Sequence, residues 1–342
     1  MVRVLARAPT RIDLGGGTLD IRPLAYLLDH RMTVNMGISL YTSATVEIAA
    51  KDGVYAIESE DLGRSLSGSF DDLINQKELP LIGELLGAVW SPDLPAIHIK
   101  TSSQSPAGAG LGGSSSLAVS LAGALHRLKM EYTNQKKLDD HALVRLVQDV
   151  EARVISCPTG CQDYWGALRG GTNLIYQSFG DPNVTTLNSE ITSWLGERLV
   201  ICFSGVSRAS GINNWNIFRS AFDGDQGLIG RLNQIGQYAD QMAQAIKAQQ
   251  WKDVIQASKD EWELRKALWP AIETNETKAI DHAAIAAGAD LVRVCGAGGG
   301  GVMAVVCEPE VRGPVCQAIE LAGGELLEAM PCEMGLTVQF EA

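Results

Sequence analysis

Ser105-Pro106-Ala107-Gly108-Ala109-Gly110-Leu111-Gly112-Gly113-Ser114-Ser115-Ser116 separates two stretches of different hydrophobic period. Before it, residues 94–100 alternate as a half-buried strand does and end in polar Thr101-Ser102-Ser103-Gln104. After it, Leu117, Leu121, Leu125 and Leu128 recur at four and three residues, the stripe of a packed helix. A glycine-rich turn between a strand and a helix start aims free backbone N–H groups along the positive end of the helix dipole, which makes an anion site. Glycines 108, 110, 112 and 113 admit a phosphate without a Cβ in the way. The three serines add hydroxyls that can cap the helix, touch phosphate or ligate Mg²⁺. The bland alternative is a flexible loop with a serine cap; the glycine spacing and the abrupt change of period favour phosphate. This is not a Walker A loop, because no Gly-Lys pair occurs in the chain. No V-A-I-K, H-R-D or D-F-G element accompanies it, and its glycines are misplaced for a dinucleotide fingerprint.

Working outward, residues 33–50 are rich in Val, Ile, Thr and Tyr, and residues 54–58 are expected to pair with them through the turn Lys51-Asp52-Gly53. A second helix is expected over residues 138–155, with Leu143, Leu146, Val147 and Val150 inward and Pro158 beyond its end. The second half opens on an apolar strand at 199–203, and helix-like segments follow from about 212 to 268. Two apolar strands flank Gly296-Ala297-Gly298-Gly299-Gly300-Gly301, and a helix over 309–322 and a strand near 336–340 close the chain. With 342 residues, two packed domains are expected, residues 1–190 and 191–342, divided near the turn-rich Gly180-Asp181-Pro182-Asn183.

Composition narrows the function classes. The net charge is −12, so the surface repels phosphate backbones and anionic lipid; neither nucleic acid nor membrane is expected as a partner. A bound nucleotide stays compatible, since it needs only local N–H groups, a metal and a few cations. The seven cysteines are scattered, odd in number and set among apolar residues, which reads as reduced core thiols. Cys157 and Cys161 lack C-x-x-C spacing, and the five histidines are isolated, so no transition-metal site is expected. Without a leader-like or membrane-length apolar stretch, a soluble, cytoplasmic protein is expected, a monomer or homodimer.

Residues 106–115 resemble the phosphate loop of the GHMP kinases, the family of galactokinase, homoserine kinase, mevalonate kinase and phosphomevalonate kinase. Two further motifs stand in family order. Ala8-Pro9-Thr10-Arg11-Ile12-Asp13-Leu14-Gly15-Gly16-Gly17-Thr18-Leu19-Asp20 resembles the sugar-kinase signature, and residues 296–301 resemble the third motif, which packs beside the phosphate loop. The glycine run at 15–17 is most similar to the heptose-7-phosphate kinase and fucose kinase branch. The resemblance implies an α+β, two-domain GHMP kinase fold, with an N-terminal ribosomal-protein-S5-like domain and a C-terminal ferredoxin-like domain. It implies ATP and Mg²⁺, and transfer of the γ-phosphate to a hydroxyl of a sugar or sugar phosphate of the heptose-7-phosphate, fucose or galactose type.

The resemblance also assigns roles. ATP falls to Pro106, Gly108, Gly110, Leu111, Gly112, Gly113, Ser114 and Ser115. Where the family has Gly-Ser-Ser this chain has Gly112-Gly113-Ser114, so the metal-ligand role moves onto Ser114, with Glu151 as its partner. Asp163 becomes the base and Arg11 its assistant; both carboxylates lie in Glu151-Ala152-Arg153-Val154-Ile155-Ser156-Cys157-Pro158-Thr159-Gly160-Cys161-Gln162-Asp163, similar to the galactokinase-like catalytic segment. Substrate contacts fall to Asp20, Gly16, Gly17, Thr18, Gly298 and Arg208. Arg22 and Arg169 are further cations available to a phosphorylated substrate. Tyr164 and Trp165 depart from the heptose-kinase pattern, and Trp165 is either a platform for a sugar face or a core aromatic. The rival readings are a small hydroxy-acid acceptor such as homoserine or mevalonate, and a non-catalytic nucleotide or sugar sensor.

Overall fold

The computed structural model describes residues 2–50, 53–207 and 212–342, with the side chains of all of these except 212, 213 and 270. In chain order the first elements are β1 (Arg3–Gly15), α1 (Arg22–Ala25), β2 (Met32–Ile48), β3 (Tyr55–Ser59), β4 (Arg64–Gly68), α2 (Phe70–Asn75), α3 (Pro80–Val89), β5 (Ile97–Ser103), α4 (Gly113–Lys129), α5 (Asp140–Ile155) and α6 (Gln162–Arg169). There follow β6 (Thr172–Tyr176), β7 (Asn183–Thr186), α7 (Ser189–Gly196), β8 (Leu199–Phe203), α8 (Ile212–Phe222), α9 (Gln226–Lys247), α10 (Trp251–Leu268), α11 (Asn275–Ala286), β9 (Leu291–Val294), β10 (Val302–Val306), α12 (Arg312–Leu321), β11 (Glu325–Leu326) and β12 (Thr337–Glu341).

The strands form two sheets. The eight-stranded one runs β12-β1-β2-β5-β3-β4, with β6 and β7 branching from β2; the four-stranded one runs β11-β8-β10-β9. The 17-residue β2 is long enough to seat β6 on Met32–Met36 and β5 on Thr42–Ile48, while β1 takes its other edge. Those pairings leave no place for the expected hairpin of β2 with residues 54–58. Instead β3 crosses over and pairs parallel to β5 through Ala56↔His98 and Ile57↔Ile99. Neighbours in sequence are often, not always, neighbours in a sheet. Lys51 and Asp52 of the expected turn lie outside the described residues.

The leucine stripe of α4 packs onto β1 and β2, and α3, α5, α6 and β12 close around it. Leu121, Leu125 and Leu128 are fully buried, and so are Ala118, Val119, Ala122 and Ala124 on its other faces. A helix buried nearly all round anchors its own N-terminus, and the phosphate-loop candidate sits there. In the second half, β8, β9 and β10 form an antiparallel layer against α11 and α12, buried except for Phe203 and Val306 at the strand ends, which are half-buried. The last strand does not stay with the other elements of the second half. It leaves the second half and pairs with β1 from Arg3↔Glu341 to Arg7↔Thr337, covering an edge whose N–H and C=O groups would otherwise be open.

Candidate active site

A cavity of about 610 Å³ opens where residues 105–115, 17–21, 157–163 and 296–297 converge, with 59–62 and 78–82 forming its far wall. Its floor is the loop entering α4. Gly112, at φ +69°, is the N-cap, so the serines do not cap the helix; Ser114 and Ser115 lie in its first turn. The first intrahelical bond is Ser116 N–H to the Gly112 carbonyl, 2.8 Å. The N–H groups of Gly113, Ser114 and Ser115 precede that bond and belong to the orphan donors of a helix start. Gly110, at φ +79°, is required twice over, since a Cβ there would lie 2.6 Å from the Cys295 carbonyl oxygen. The third motif thus packs backbone to backbone on the loop, and Val302 N–H donates to the Ala109 carbonyl at 2.8 Å. Nothing steric demands glycine at 113, where a Cβ would meet Ser105 at an ordinary 3.5 Å.

Asp163 stands in the first turn of α6 and takes Arg11 Nε at 2.7 Å and Nη2 at 2.5 Å on Oδ1. Arg11 Nη1 donates to the Gly110 carbonyl at 2.7 Å, tying the carboxylate to the phosphate-loop candidate. The guanidinium is buried, which pushes its pKa down. The carboxylates of Asp163 and Asp13 outweigh that and hold it above the ordinary value, so it is a permanent cation. Glu151, on α5, accepts from Ser114 Oγ at 2.5 Å on one oxygen, and from Ser115 Oγ and the Tyr164 hydroxyl, each at 2.7 Å, on the other. Glu151, Ser114 and Ser115 line the same cavity and supply hard oxygen donors of the kind divalent cations take with phosphates, while Tyr164 supports Glu151 from the core. Among the described residues no group of three or more His, Cys, Asp or Glu side chains could hold a metal on its own.

Asp20 is buried at the opposite wall and accepts the Gln162 N–H at 2.7 Å. Burial pushes its carboxyl up to about 6; the Gln162 N–H opposes this and the Asp163 charge adds to it. Gly160 presses so closely on Asp20 that an added Cβ would collide with its carboxylate.

The structure brings together Arg11, Asp163, Asp20, Glu151, Gly17, Thr18 and all eight residues expected to meet ATP. Two expected substrate contacts do not line the cavity. Gly16 is wedged against the Met32 carbonyl and Ala239, and Gly298 against Ile272; both are packing glycines at positive φ. Arg208 lies outside the described residues. Arg22 and Arg169 are at the surface, paired with Asp181 at 3.9 Å and Asp140 at 2.5 Å, away from the cavity. Trp165 is core: it is fully buried and meets His141 edge-on at 4.9 Å.

Sequence reasoning missed a buried charge cluster behind the site. Arg293 Nη2 stands 3.1 Å from Glu261 and 3.5 Å from Asp13; Arg265 Nε donates to Glu261 at 2.5 Å. Asp13 accepts the Gly296 N–H at 2.9 Å, joining the first motif to the third. Burial pushes the Asp13 carboxyl up, but Arg293, Arg11 and Arg265 prevail and hold it below the usual carboxylate range. Arg265 reaches the cavity wall. Its only sequence signal was a charged residue on a polar helix, which ordinarily means a solvated face.

Residues 80–171 match the family described as GHMP kinases N terminal domain. The chain is 24% identical over 337 residues to a D-glycero-alpha-D-manno-heptose 7-phosphate kinase of Campylobacter jejuni, covering 95% of each. It is also 24% identical over 354 residues to a mevalonate kinase of Thermococcus sibiricus, covering 99% of each. A crystal structure of a D-glycero-D-manno-heptose 1-phosphate kinase from Bacteroides thetaiotaomicron superposes with a TM-score of 0.75 at 22% identity, covering 98% of each chain. The resemblance to the GHMP kinases and the mixed α and β fold expected from it are borne out.

Proposed function

We propose that this chain, whose residues 80–171 match the GHMP kinases N terminal domain, transfers the γ-phosphoryl group of ATP to a hydroxyl of a sugar or sugar phosphate. The observation that carries the reading is the Arg11–Asp163 pair, held against Gly110 beside the first-turn N–H groups of α4. A proton acceptor, a fixed cation and an anion cradle in one cavity are the parts that phosphoryl transfer requires.

The geometry supports the following roles. The N–H groups of residues 113–115 hold phosphate oxygens. Ser114 and Glu151 fit Mg²⁺, which prefers one or two carboxylates plus the nucleotide's own phosphates; bound there, the ion would offset charge on the β- and γ-phosphates. Asp163 takes the proton of the acceptor hydroxyl. The acceptor oxygen forms its bond to the γ-phosphorus as the bond to the β,γ-bridging oxygen breaks, ADP leaves, and Asp163 returns the proton to solvent. Arg11 stabilises the anionic oxygens of that transition state and, through Gly110, keeps base and phosphates in register. Asp20 accepts hydrogen bonds from neighbouring acceptor hydroxyls. The heptose-kinase relative and the glycine run at 15–17 support a sugar or sugar phosphate over a hydroxy acid.

The test is ADP release from ATP and Mg²⁺ across a panel of heptoses, fucose, galactose, their phosphates, mevalonate and homoserine. Asp163→Ala is expected to lose about 10²–10⁴-fold in turnover on the best acceptor. Unchanged turnover removes Asp163 from the mechanism. Preference for a hydroxy acid replaces the sugar, and binding without any product supports a sensor.

A further inference from the structure

Thr18 is a β-branched residue at φ +75° on the cavity wall, a left-handed conformation that such residues almost never adopt. Strain of this kind persists only where surrounding structure over-determines it. Here the determinants are visible, and they come from the other half of the chain. Both contacts lie just before Thr18: the Gly16 N–H donates to Glu261 Oε1 at 3.0 Å, and the Gly17 carbonyl, part of the peptide that enters Thr18, accepts Arg265 Nη2 at 2.5 Å. Glu261 and Arg265 are themselves joined at 2.5 Å, both buried, and Arg293 anchors Glu261 from behind. Thr33 Oγ1 secures the Gly16 carbonyl at 2.8 Å. A buried ion pair bonded to both ends of the Gly16–Gly17 segment fixes the peptide plane that sets φ of Thr18, and the Leu19 N–H closes the turn onto the Gly16 carbonyl at 3.3 Å.

We propose that Glu261 and Arg265 on α10 are positioning residues whose ion pair clamps residues 16–17 and holds Thr18 in its left-handed conformation, so that Thr18 faces the phosphoryl acceptor. The acceptor part rests on the kinase reading above; the clamp does not. The pair touches neither the nucleotide loop nor Asp163. Through residues 16–18 its influence falls on acceptor recognition; the route by Arg293, Asp13 and Gly296 to the loop entering α4 does not pass through Thr18.

Three variants test it: Thr18→Ala keeps a Cβ in the left-handed region, Thr18→Gly removes it, and Arg265→Lys keeps the charge but loses the fork. Thr18→Gly should melt above Thr18→Ala, because only glycine adopts that φ without strain. Equal melting temperatures would overturn the strain. Arg265→Lys should lower the melting temperature of the wild type more than that of Thr18→Gly, where little strain remains to be held; equal decrements in both backgrounds overturn the clamp, whatever reaction the protein performs. If Arg265→Lys does not fold, Glu261→Gln in the same two backgrounds carries the clamp comparison, with the same outcomes expected and overturning. In turnover, Thr18→Gly should raise the acceptor KM roughly 3- to 10-fold, as for a lost hydrogen bond, with the KM for ATP unchanged. Parallel rises in both would overturn the acceptor assignment. A wild type that phosphorylates no acceptor sinks the kinase reading and leaves the melting comparison to judge the clamp.

Discussion

Replacing Asp20 by asparagine makes a prediction with an unusual sign: removing a charge from the candidate active site should stabilise the protein near neutral pH. Burial lifts the folded-state pKa of Asp20 to about 6, against an ordinary 3.8. Between those values the native state binds more protons than the unfolded chain, so the stability that neutral Asp20 contributes is complete below about 3.8 and lost as pH rises through about 6. The gap is about two pKa units, or ~3 kcal/mol at 1.36 kcal/mol per unit. Asparagine has the same shape, can accept the Gln162 N–H, and never ionises. Urea titrations of both proteins from pH 4 to 7.5 should therefore find Asp20→Asn near the wild type at pH 4. It should become more stable by on the order of 1–3 kcal/mol at pH 7, less than the full gap because the amide aligns imperfectly. Asp13, held low by its arginines, loses its stabilisation only below about 3.8, outside this window and equally in both proteins. The same variant should lose about 10- to 100-fold in acceptor kcat/KM, as for a hydrogen bond to a charged group. A stability difference that stays flat from pH 4 to 7 refutes the burial cost. A stabilised variant with wild-type acceptor kinetics refutes the substrate role.

Other outcomes follow from the same coordinates. In Gly112→Ala the new Cβ falls 3.0 Å from the Asp163 carboxylate at a left-handed φ, so turnover should drop about 10²-fold as the base shifts, measured as kcat on the best acceptor. In Tyr164→Phe, Glu151 loses one donor, and the half-saturating concentration of Mg²⁺ should rise about 10-fold, read also as weaker Mn²⁺ binding without substrate. Trp165→Ala should cost ~3–5 kcal/mol in chemical denaturation, because the indole is fully buried; a milder loss would return it to the sugar-platform role.

The parts of the site that were legible in the sequence are those written in local backbone chemistry. A strand period, a glycine turn and a leucine-striped helix announced the loop at 105–116, although α4 begins at Gly113, inside that stretch, with Gly112 and not a serine as its cap. The hairpin of residues 33–58 failed because β2 spends both edges on β1, β5 and β6, a competition among distant segments that no local turn signal reports. Gly16 and Gly298 shared the motif pattern of their neighbours, yet they face packed backbone and side chains, which spacing alone cannot distinguish from a cavity.

By itself, then, the sequence determined the geometry of the phosphate-loop candidate, since positive-φ glycines and a helix start are properties of consecutive residues. The motif resemblance pointed from it to Asp163, Glu151, Arg11 and Asp20. Only the tertiary structure decided what stands behind them. Asp13, Glu261, Arg265 and Arg293 come from three elements and tolerate burial only as a group, each charge compensated by the others. Their number along the chain carries no period, because the condition they satisfy is electrostatic closure in three dimensions. That same cluster turns the loop entering α4, through Asp13 and the glycine at 296, from an isolated anion cradle into one wall of an enclosed site.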